Sequence, residues 1–324
     1  MLICSYRYKD RLNKRKVKVK VYFYLLWTSL KNYYLCNMFR IYLEKIKLAV
    51  QKRAKTAQTQ KSYSTWKAKG YENEPLVTVI FQTHNKSLQI CHVLRKIRKW
   101  PIKTEVIVID DGSSLDHTER LAKELNSANE FLVRCNDLYE NVTYDKTIRM
   151  ANGQYIALLQ DDDDFADTQW MDDALNYFKQ YPDMAILGGN WKVNLTFVKE
   201  TEQRVGTRID DASRPFCFAP SVNRAPMWIN KAIFDAKLHR IDFRFAPFQY
   251  DDDELCLRAW LEGCTVGWYD AGFHSLAAGG MRLWNNSFSA EQARRNGHLL
   301  YTLYADRMDT ILQRVADNNR RLTE

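Results

Sequence analysis

The sequence predicts an α/β fold, in which a mostly parallel, Rossmann-like sheet is flanked by helices and preceded by a basic helical N-terminal extension. Short apolar runs such as residues 76–81 and 105–109 alternate with segments of helical periodicity. Polar and acidic residues directly follow several of these runs. Positive charge is concentrated in residues 1–75, which carry 18 Lys and Arg against 4 Asp and Glu, whereas the rest of the chain carries 30 against 35.

Residues 1–50 have the pattern of a basic amphipathic extension, and residues 51–74, rich in Lys, Gln, Thr and Ser, predict a linker. Within residues 39–50, apolar side chains recur at helical spacing among basic ones. Such a helix can lie on a membrane surface or pack against protein, and the pattern does not separate the two. The apolar run at residues 21–30 is too short to span a bilayer, so we expect any membrane contact of residues 1–50 to be peripheral.

Cysteine usage argues against a zinc ribbon and against a dense disulfide framework. The chain has 7 cysteines, an odd number, and none of them forms a CxxC pair. This usage is typical of a reducing compartment, and we therefore expect a cytoplasmic protein.

Residues 75–288 are predicted to form the catalytic domain, and residues 289–324 a C-terminal helical segment. The predicted strands are the apolar runs at residues 76–81, 105–109, 131–133, 155–159 and 185–187. Because helical segments separate them, a doubly wound parallel sheet is expected. The sequence contains no GxGxxG motif and no P-loop.

Polar residues follow three of the predicted strands, at residues 82–85, 110–113 and 160–164. In open parallel sheets, ligands bind beyond the carboxyl ends of the strands, so we expect these three segments to converge on one crevice. The four aspartates at 161–164 repel one another, and a divalent cation such as Mn²⁺ or Mg²⁺ would compensate them and bind a diphosphate. The alternative is a solvated acidic loop or a helix start.

Two further acidic segments allow both a functional and a structural interpretation. A carboxylate within residues 110–113 could accept hydrogen bonds from a base or a ribose, or the segment could be an ordinary turn between strand and helix. The acids at 251–254 precede a helical pattern, so they could stabilise a helix start or supply a general base. On a helix, Asp252 and Asp253 point about 100° apart and cannot share one role.

The segments TVIFQTHN, EVIVIDDGSS, ANGQYIALLQDDDD and YDDDELCLRAWLEG together resemble the family-2 glycosyltransferases of GT-A fold. Their order and spacing match over roughly residues 75–275. The resemblance implies a metal-dependent, inverting transfer of a sugar from a nucleotide-diphosphate sugar. It makes Asp252 the catalytic base, and it makes Asp161 and Asp163 the ends of the DxD motif that binds the metal. His274 matches a late histidine near the metal or diphosphate, although a lone histidine can equally be structural.

The remaining candidates for binding the nucleotide sugar are polar side chains at the strand ends and one lysine further on. They are Thr83, Asn85, Asp110, Asp111, Lys146, Asp161 and Asp162. In the resemblance, Thr83 lies near the nucleoside, and the pair Asp110 and Asp111 contacts uracil and ribose.

The chain departs from the family pattern in ways that leave the nucleobase contact open. Gln82 replaces the usual Pro, His84 the usual Tyr, and Tyr144-Asp145 the usual Arg-Asn pair, with Lys146 next. The QxxRW motif of processive relatives is also missing, since the nearest segment, residues 292–296, has no Trp. We therefore expect a non-processive enzyme.

The predicted function is transfer from a nucleotide sugar, with a UDP-sugar favoured, to a hydroxyl group of a glycan or glycoconjugate. One alternative is a nucleotidyltransferase, which normally needs a glycine-rich basic loop where this chain has Thr-His-Asn-Lys at residues 83–86. Another is a basic nucleic-acid-binding protein with a degenerate nucleotide-binding domain. The acidic body of the chain disfavours it, so no nucleic-acid partner is expected.

Overall fold

The computed structural model describes residues 42–54, 75–102, 104–190, 192–209, 214–224, 226–276 and 286–322. The chain divides into two compact units, residues 1–72 and 73–324. In the first unit, the described residues form helix α1 (42–54), which continues four residues into the predicted linker. The rest of the predicted extension and linker lies outside the described residues. Among the helices that are described, none is both long and apolar enough to cross a membrane.

The second unit contains short strands and helices in alternation. Its described strands are β1 (Val77–Thr83), β2 (Glu105–Asp111), β3 (Glu130–Cys135), β4 (Tyr155–Leu159), β5 (Asp163–Asp164), β6 (Met184–Gly188), β7 (Lys192–Val198), β8 (Gln203–Ile209), β9 (Phe216–Phe218), β10 (Ser221–Val222), β11 (Met227–Asn230), β12 (Thr265–Tyr269) and β13 (His274–Ser275). Its described α-helices are α2 (Ser87–Ile97), α3 (Leu115–Glu124), α4 (Tyr139–Met150), α5 (Gln169–Gln180), α6 (Lys231–Ile233), α7 (Asp251–Leu261), α8 (Asn286–Tyr304) and α9 (Met308–Arg321).

The central sheet has eight strands in the order β3-β2-β1-β4-β11-β6-β12-β9. β11 runs antiparallel to β4 and β6, and β9 runs antiparallel to β12, so the other six strands share one direction. β1, β2 and β4 are almost entirely buried, as their continuous apolar runs predict. The predicted mostly parallel sheet flanked by helices is confirmed.

Two smaller sheets are formed by strands that do not belong to the central sheet. One has the order β10-β7-β8, and the other is a two-stranded ribbon of β13 and β5. β8 packs against α8 so closely that a Cβ added to Gly297 would lie 2.6 Å from Gln203 Oε1. The ribbon fixes the acidic residues that follow β4 against residues 274–275.

The C-terminal helices belong to the same compact unit as the sheet. The boundary predicted between residues 288 and 289 therefore falls inside α8. On α9, the Asn319 side chain accepts the backbone N–H of Phe218 and donates to its carbonyl, both at 2.8 Å. Because β9 is an edge strand, this amide occupies hydrogen-bonding groups that would otherwise be open to another strand.

Candidate active site

The ends of β1, β2 and β4 meet, and their turns are joined by hydrogen bonds. The backbone N–H of His84 donates to Asp161 Oδ2 at 3.0 Å, and Lys86 Nζ donates to Asp161 Oδ1 at 2.8 Å. The backbone N–H of Asn85 donates to Ser113 Oγ at 2.9 Å. The structure thus brings together the three polar segments that the sequence places at strand ends, and it adds Lys86, which the sequence analysis missed.

Asp111 is engaged by protein donors on both carboxylate oxygens. The backbone N–H groups of Leu138 and Tyr139 donate to Oδ1 and Oδ2 at 3.0 and 2.8 Å. Gln82 Nε2 and the Cys135 thiol add two more contacts, each at 3.1 Å. A carboxylate has about four acceptor positions, so these four donors use its capacity. In this arrangement Asp111 satisfies the first N–H groups of α4, and the residue that replaces the family's proline helps to hold it.

Asp110 and Thr83 lie buried beside this turn. Asp110 accepts the backbone N–H of Ser113 at 3.2 Å and the Thr118 hydroxyl at 2.5 Å. The buried Thr83 hydroxyl has no hydrogen-bond partner within the described part of the chain. Buried hydroxyls are rarely left without a partner, and this one lies where the resemblance expects the nucleoside.

The acidic turn, residues 161–164, separates its carboxylates by strand geometry. Asp163 and Asp164 form β5, and Asp164 lies opposite His274 in the ribbon. Adjacent side chains on a strand point to opposite faces, so Asp163 faces away from Asp164 and His274. Asp164 Oδ1 pairs with Lys96 Nζ at 2.6 Å, and His274 Nε2 lies 3.7 Å from Asp164 Oδ2. The structure therefore places His274 beside Asp164 and not beside Asp163.

Asp163 is the buried member of a negatively charged group. Its Oδ2 accepts the backbone N–H of Gln160 at 2.8 Å. Burial, with the nearby carboxylates of Asp162 and Asp161, raises the pKa of Asp163 well above its usual value, and Lys86 opposes this only partly. Burial also raises the pKa of Asp162. Three carboxyl groups thus face one lysine, and an oxygen-only set with excess negative charge suits a hard divalent cation.

The carboxylates of the acidic turn suit a divalent cation by their chemistry, but among the described residues they do not form a preformed coordination site. Within residues 75–276 and the other described segments, no three His, Cys, Asp or Glu side chains are grouped so that they could hold a metal ion. Asp161 and Asp163 remain the residues whose carboxylates would contact such a cation.

Lys146, on α4, contacts one acid on its own helix and one aromatic ring. Its Nζ is 3.5 Å from Asp145 Oδ2 and 4.8 Å from the ring centroid of Phe243. Asp145 is itself buried and accepts from Arg149 at 3.1 Å. None of these contacts joins Lys146 to the strand ends, and its place in the nucleotide site stays a prediction.

The acids at 251–254 open helix α7, as the pattern predicts. Three of them are buried and pair with arginines: Asp251 with Arg224 at 2.7 Å, Asp253 with Arg204 at 2.7 Å, and Glu254 with Arg258 at 2.8 Å. Asp252 is half-buried, and its Oδ1 accepts the backbone N–H of Asp253 at 3.0 Å. No cation pairs with Asp252 in the part of the chain that the structure describes. It is the one uncompensated acid of the four.

Glu140, in the first turn of α4, was not a candidate in the sequence analysis. Burial raises its pKa to about 7, the negative charges of Asp251, Asp252 and Asp161 contribute in the same direction, and Arg224 opposes them. The pKa of Glu140 therefore depends on carboxylates of both acidic segments, residues 161–164 and 251–254. No sequence pattern singles it out, because a single Glu at a helix start is an ordinary stabilising feature.

Arg224 was not a candidate in the sequence analysis either. Its guanidinium carbon lies 5.1 Å from the ring centroid of Tyr144, the position at which the resemblance expects an arginine. The Tyr144 hydroxyl donates to the carbonyl of Leu159, the last residue of β4, at 3.0 Å. A guanidinium thus reaches this place from a distant segment, which no local pattern could indicate.

A mostly parallel sheet with an acidic turn beyond β4 and an acid-bearing helix is the architecture of the GT-A glycosyltransferases. Residues 78–232 match the family model described as glycosyl transferase family 2. Over these residues the chain is therefore similar to that family.

Solved structures of glycosyltransferases are among those similar to the chain. GalNAc-T7, crystallised with UDP, GalNAc and Mn²⁺, matches with a TM-score of 0.51 and 13% identity over 62% of this chain and 43% of that one. The mannosyltransferase PcManGT from Pyrobaculum calidifontis, in complex with GDP-Man and Mn²⁺, matches with a TM-score of 0.48 and 15% identity over 71% and 63%. S. aureus TarS 1–349 in complex with UDP-GlcNAc gives 0.48 and 16% over 64% and 60%.

At 13% identity, the similarity to GalNAc-T7 shows the fold alone. The chain spans less than two thirds of the length of each of these three proteins. A search of curated proteins finds no match to the sequence.

Proposed function

We propose that the chain moves one sugar from a nucleotide-diphosphate sugar to a hydroxyl group of a glycan or glycoconjugate, with inversion at the anomeric carbon. The observation that best supports this proposal is the pattern of ion pairs at the start of α7. Arginines pair with three of the four acids there, and Asp252 is the acid without such a partner among the described residues. An unpaired carboxylate that keeps some solvent access can take up a proton, whereas a buried and paired one cannot do so readily.

On the donor side, Asp161 and Asp163 would hold a divalent cation, Mn²⁺ or Mg²⁺, which when bound neutralises the charge of the diphosphate. The excess of carboxyl groups over Lys86 supports this role. Lys86 and the backbone N–H of His84 fix Asp161 at the end of β1 and so keep the acidic turn in place. The metal role of His274 stays a prediction, and a shared site with Asp163 would require its ring to leave Asp164.

On the acceptor side, Asp252 accepts the proton of the attacking hydroxyl. The hydroxyl oxygen forms the new bond to the anomeric carbon as the bond from that carbon to the diphosphate oxygen breaks, and the nucleoside diphosphate leaves with the electron pair. One displacement from the opposite face inverts the configuration. The role of Asp252 as base comes from the family resemblance and is supported by its lack of a paired cation.

The nucleobase is proposed as uracil on the resemblance, although Asp111 offers it little acceptor capacity. The Thr83 hydroxyl is the unsatisfied buried group at this strand end. The contacts proposed for Asn85, Asp110, Asp162 and Lys146 are further predictions. Of these, Asn85 and Asp110 take part in joining or shaping the turns, and Lys146 is the least supported by its position.

The experiment is a screen of UDP-, GDP-, CDP- and dTDP-sugars by thermal shift, with Mn²⁺ and with EDTA, followed by hydrolysis assays on the hits. We expect a UDP-sugar to stabilise the protein only with Mn²⁺ and to release UDP and free sugar slowly. Equal stabilisation in EDTA would contradict the metal dependence, and a stronger GDP-sugar shift would contradict the nucleobase.

Product analysis separates the alternative reaction. A glycosyltransferase releases a nucleoside diphosphate, whereas a nucleotidyltransferase transfers a nucleoside monophosphate to its acceptor and releases pyrophosphate. Detection of pyrophosphate from a nucleoside triphosphate and a sugar phosphate would favour the nucleotidyltransferase.

The peripheral membrane contact of residues 1–50 is a separate proposal that rests on their basic, amphipathic sequence. Co-sedimentation of the full chain with vesicles containing phosphatidylserine tests it. We expect binding that weakens at high salt and is absent on neutral vesicles, and a protein that ignores the anionic lipid would contradict it.

A further inference from the structure

The start of α7 presents three successive aspartates that the structure treats differently. Asp251 and Asp253 are 1% and 3% exposed, and each pairs with an arginine from outside the helix. Arg204 comes from β8, and Arg224 follows β10. Asp252, between the two pairs, has no such partner among the residues that the structure describes. The pairing therefore alternates along the chain and isolates the residue proposed as the base.

Each arginine also contacts an aromatic ring on a further segment. The Arg204 guanidinium carbon lies 4.4 Å from the ring centroid of Tyr250, which directly precedes the helix with a φ of 64°. Arg224 lies over Tyr144, whose hydroxyl bonds to the end of β4. Because β4 leads directly into the acidic turn, Arg224 links the donor side of the site to the start of α7.

Both arginines interact electrostatically with Asp252 as well as with their own partners. Burial lowers the pKa of Arg204, but the interactions with Asp253, Tyr250 and Asp252 together raise it above its usual value. Arg224 behaves in the same way beside Asp251 and Asp252. The charged groups that act on Asp252 are Arg204 from β8, Arg224 from the segment after β10, Glu140 from α4, and Asp251 and Asp253 on its own helix.

We propose that Arg204 and Arg224 are positioning residues for sugar transfer. Each forms an ion pair with one acid beside Asp252, so that, among the described residues, Asp252 is the aspartate of this helix start without an ion-pair partner and is held in place between the donor strand and the acceptor. This inference rests on the proposed function, since it assumes that Asp252 takes the acceptor's proton. It adds the two guanidinium groups that distinguish Asp252 from the aspartates on either side of it.

The first test uses charge. Asp253→Asn and Asp251→Asn each leave a buried guanidinium without its carboxylate, and arginine does not lose its proton in proteins. The stranded positive charge favours the ionised form of Asp252, so the acid side of the pH–rate profile should move down by about 0.5–1 pH unit. The double variant Arg204→Gln/Asp253→Asn removes both charges and should return the profile to the wild-type position.

The second test uses position. With its pair removed, the double variant should lose about tenfold in kcat while its affinity for the nucleoside diphosphate is unchanged. Arg204→Lys keeps the charge but loses the planar fork, so it should lower kcat without moving the pH profile. This conservative variant keeps the test usable if the glutamine variant does not fold.

The matched control is Glu254→Gln, on the same helix, which strands Arg258 in a buried pair with no role in this proposal. It should lower the melting temperature and leave the pH profile in place. A ¹³C-carboxyl titration of Asp252, assigned with Asp252→Asn, follows the same shifts without turnover. If Asp253→Asn moves neither the profile nor the titration beyond Glu254→Gln, the inference is overturned. If the wild type transfers no sugar while the titration shifts, the proposed function fails and the charge pairing stands.

Discussion

The acidic turn at 161–164 and the acidic helix start at 251–254 have nearly the same composition, but their charges are compensated differently. In the turn, Lys96 and Lys86 pair with the outer aspartates and leave two adjacent carboxyl groups. At the helix start, three arginines leave one. In the turn, four carboxyl groups with two lysines favour a divalent ion, which Asp161 and Asp163 are proposed to bind, whereas one carboxylate without an ion pair favours a proton. Compensation, more than the number of acids, distinguishes the two regions chemically.

The largest effect should come from removing the buried carboxylate of the turn. Asp163→Ala is expected to abolish transfer and to remove the Mn²⁺ dependence of UDP binding, because a two-carboxylate site loses a direct ligand. Calorimetry of UDP with and without Mn²⁺ measures this. If the variant keeps the wild-type metal dependence, Asp163 does not bind the metal, and the proposed difference between the turn and the helix start is wrong.

The next effect should come from the helix start. Asp252→Asn keeps the shape of the side chain and removes its basicity, so kcat should fall by about 10²-fold or more while donor affinity stays nearly unchanged. Turnover and donor binding should be measured beside Glu254→Gln, whose activity should remain close to wild type. Wild-type turnover in Asp252→Asn would assign the proton to another residue.

A smaller effect is expected at Asp164, the compensated member of the turn. Hydrogen bonds from Lys96 lower its pKa despite burial, so the pair stabilises the fold above the pKa of the unfolded carboxyl, and this contribution is lost as the pH falls through the lower folded value. Asp164→Asn should cost about 1–3 kcal/mol at pH 7 and leave UDP affinity unchanged. Denaturant unfolding at pH 7 and pH 3 checks this, and a large loss of UDP binding would show that Asp164 belongs to the donor site.

The smallest effect is expected at Glu140, whose pKa is raised by carboxylates of both regions. It holds its proton up to about pH 7 when folded, against 4.5 for the ordinary carboxyl. The folded state therefore binds more protons within this window, and its stability falls as the pH rises through it. Glu140→Gln removes that loss, so its melting temperature relative to wild type should be higher at pH 8 than at pH 5. An equal difference at the two pH values would mean that Glu140 is already ionised.

Sequence reasoning placed the parallel strands well, because buried strands such as residues 155–159 are continuous apolar runs. It did not place β11 between β4 and β6, since a four-residue antiparallel strand has no distinctive local pattern. It also predicted that the three strand ends converge, because parallel strands leave their carboxyl ends at one edge of the sheet.

The partners of the site residues could not be predicted. The Asp111 carboxylate accepts hydrogen bonds from backbone N–H groups that lie 27 and 28 residues away in the sequence. Arg224 pairs with Asp251, which lies 27 residues further along the chain. Such contacts depend on how distant segments pack, and spacing in the sequence does not encode them. The same limit applies to Lys146, whose contact with the Phe243 ring joins residues that are far apart in the sequence.

The position of β12 in the central sheet has a consequence for synthesis on the ribosome. This strand, residues 265–269, lies between β6 and β9, although both precede it in the chain. Until residue 269 has left the exit tunnel, one edge of β6 lacks its hydrogen-bonding partner, and an unpaired edge can join other chains. A nascent chain that stalls between β11 and β12 should therefore aggregate, even though every residue of its acidic turn has already been made.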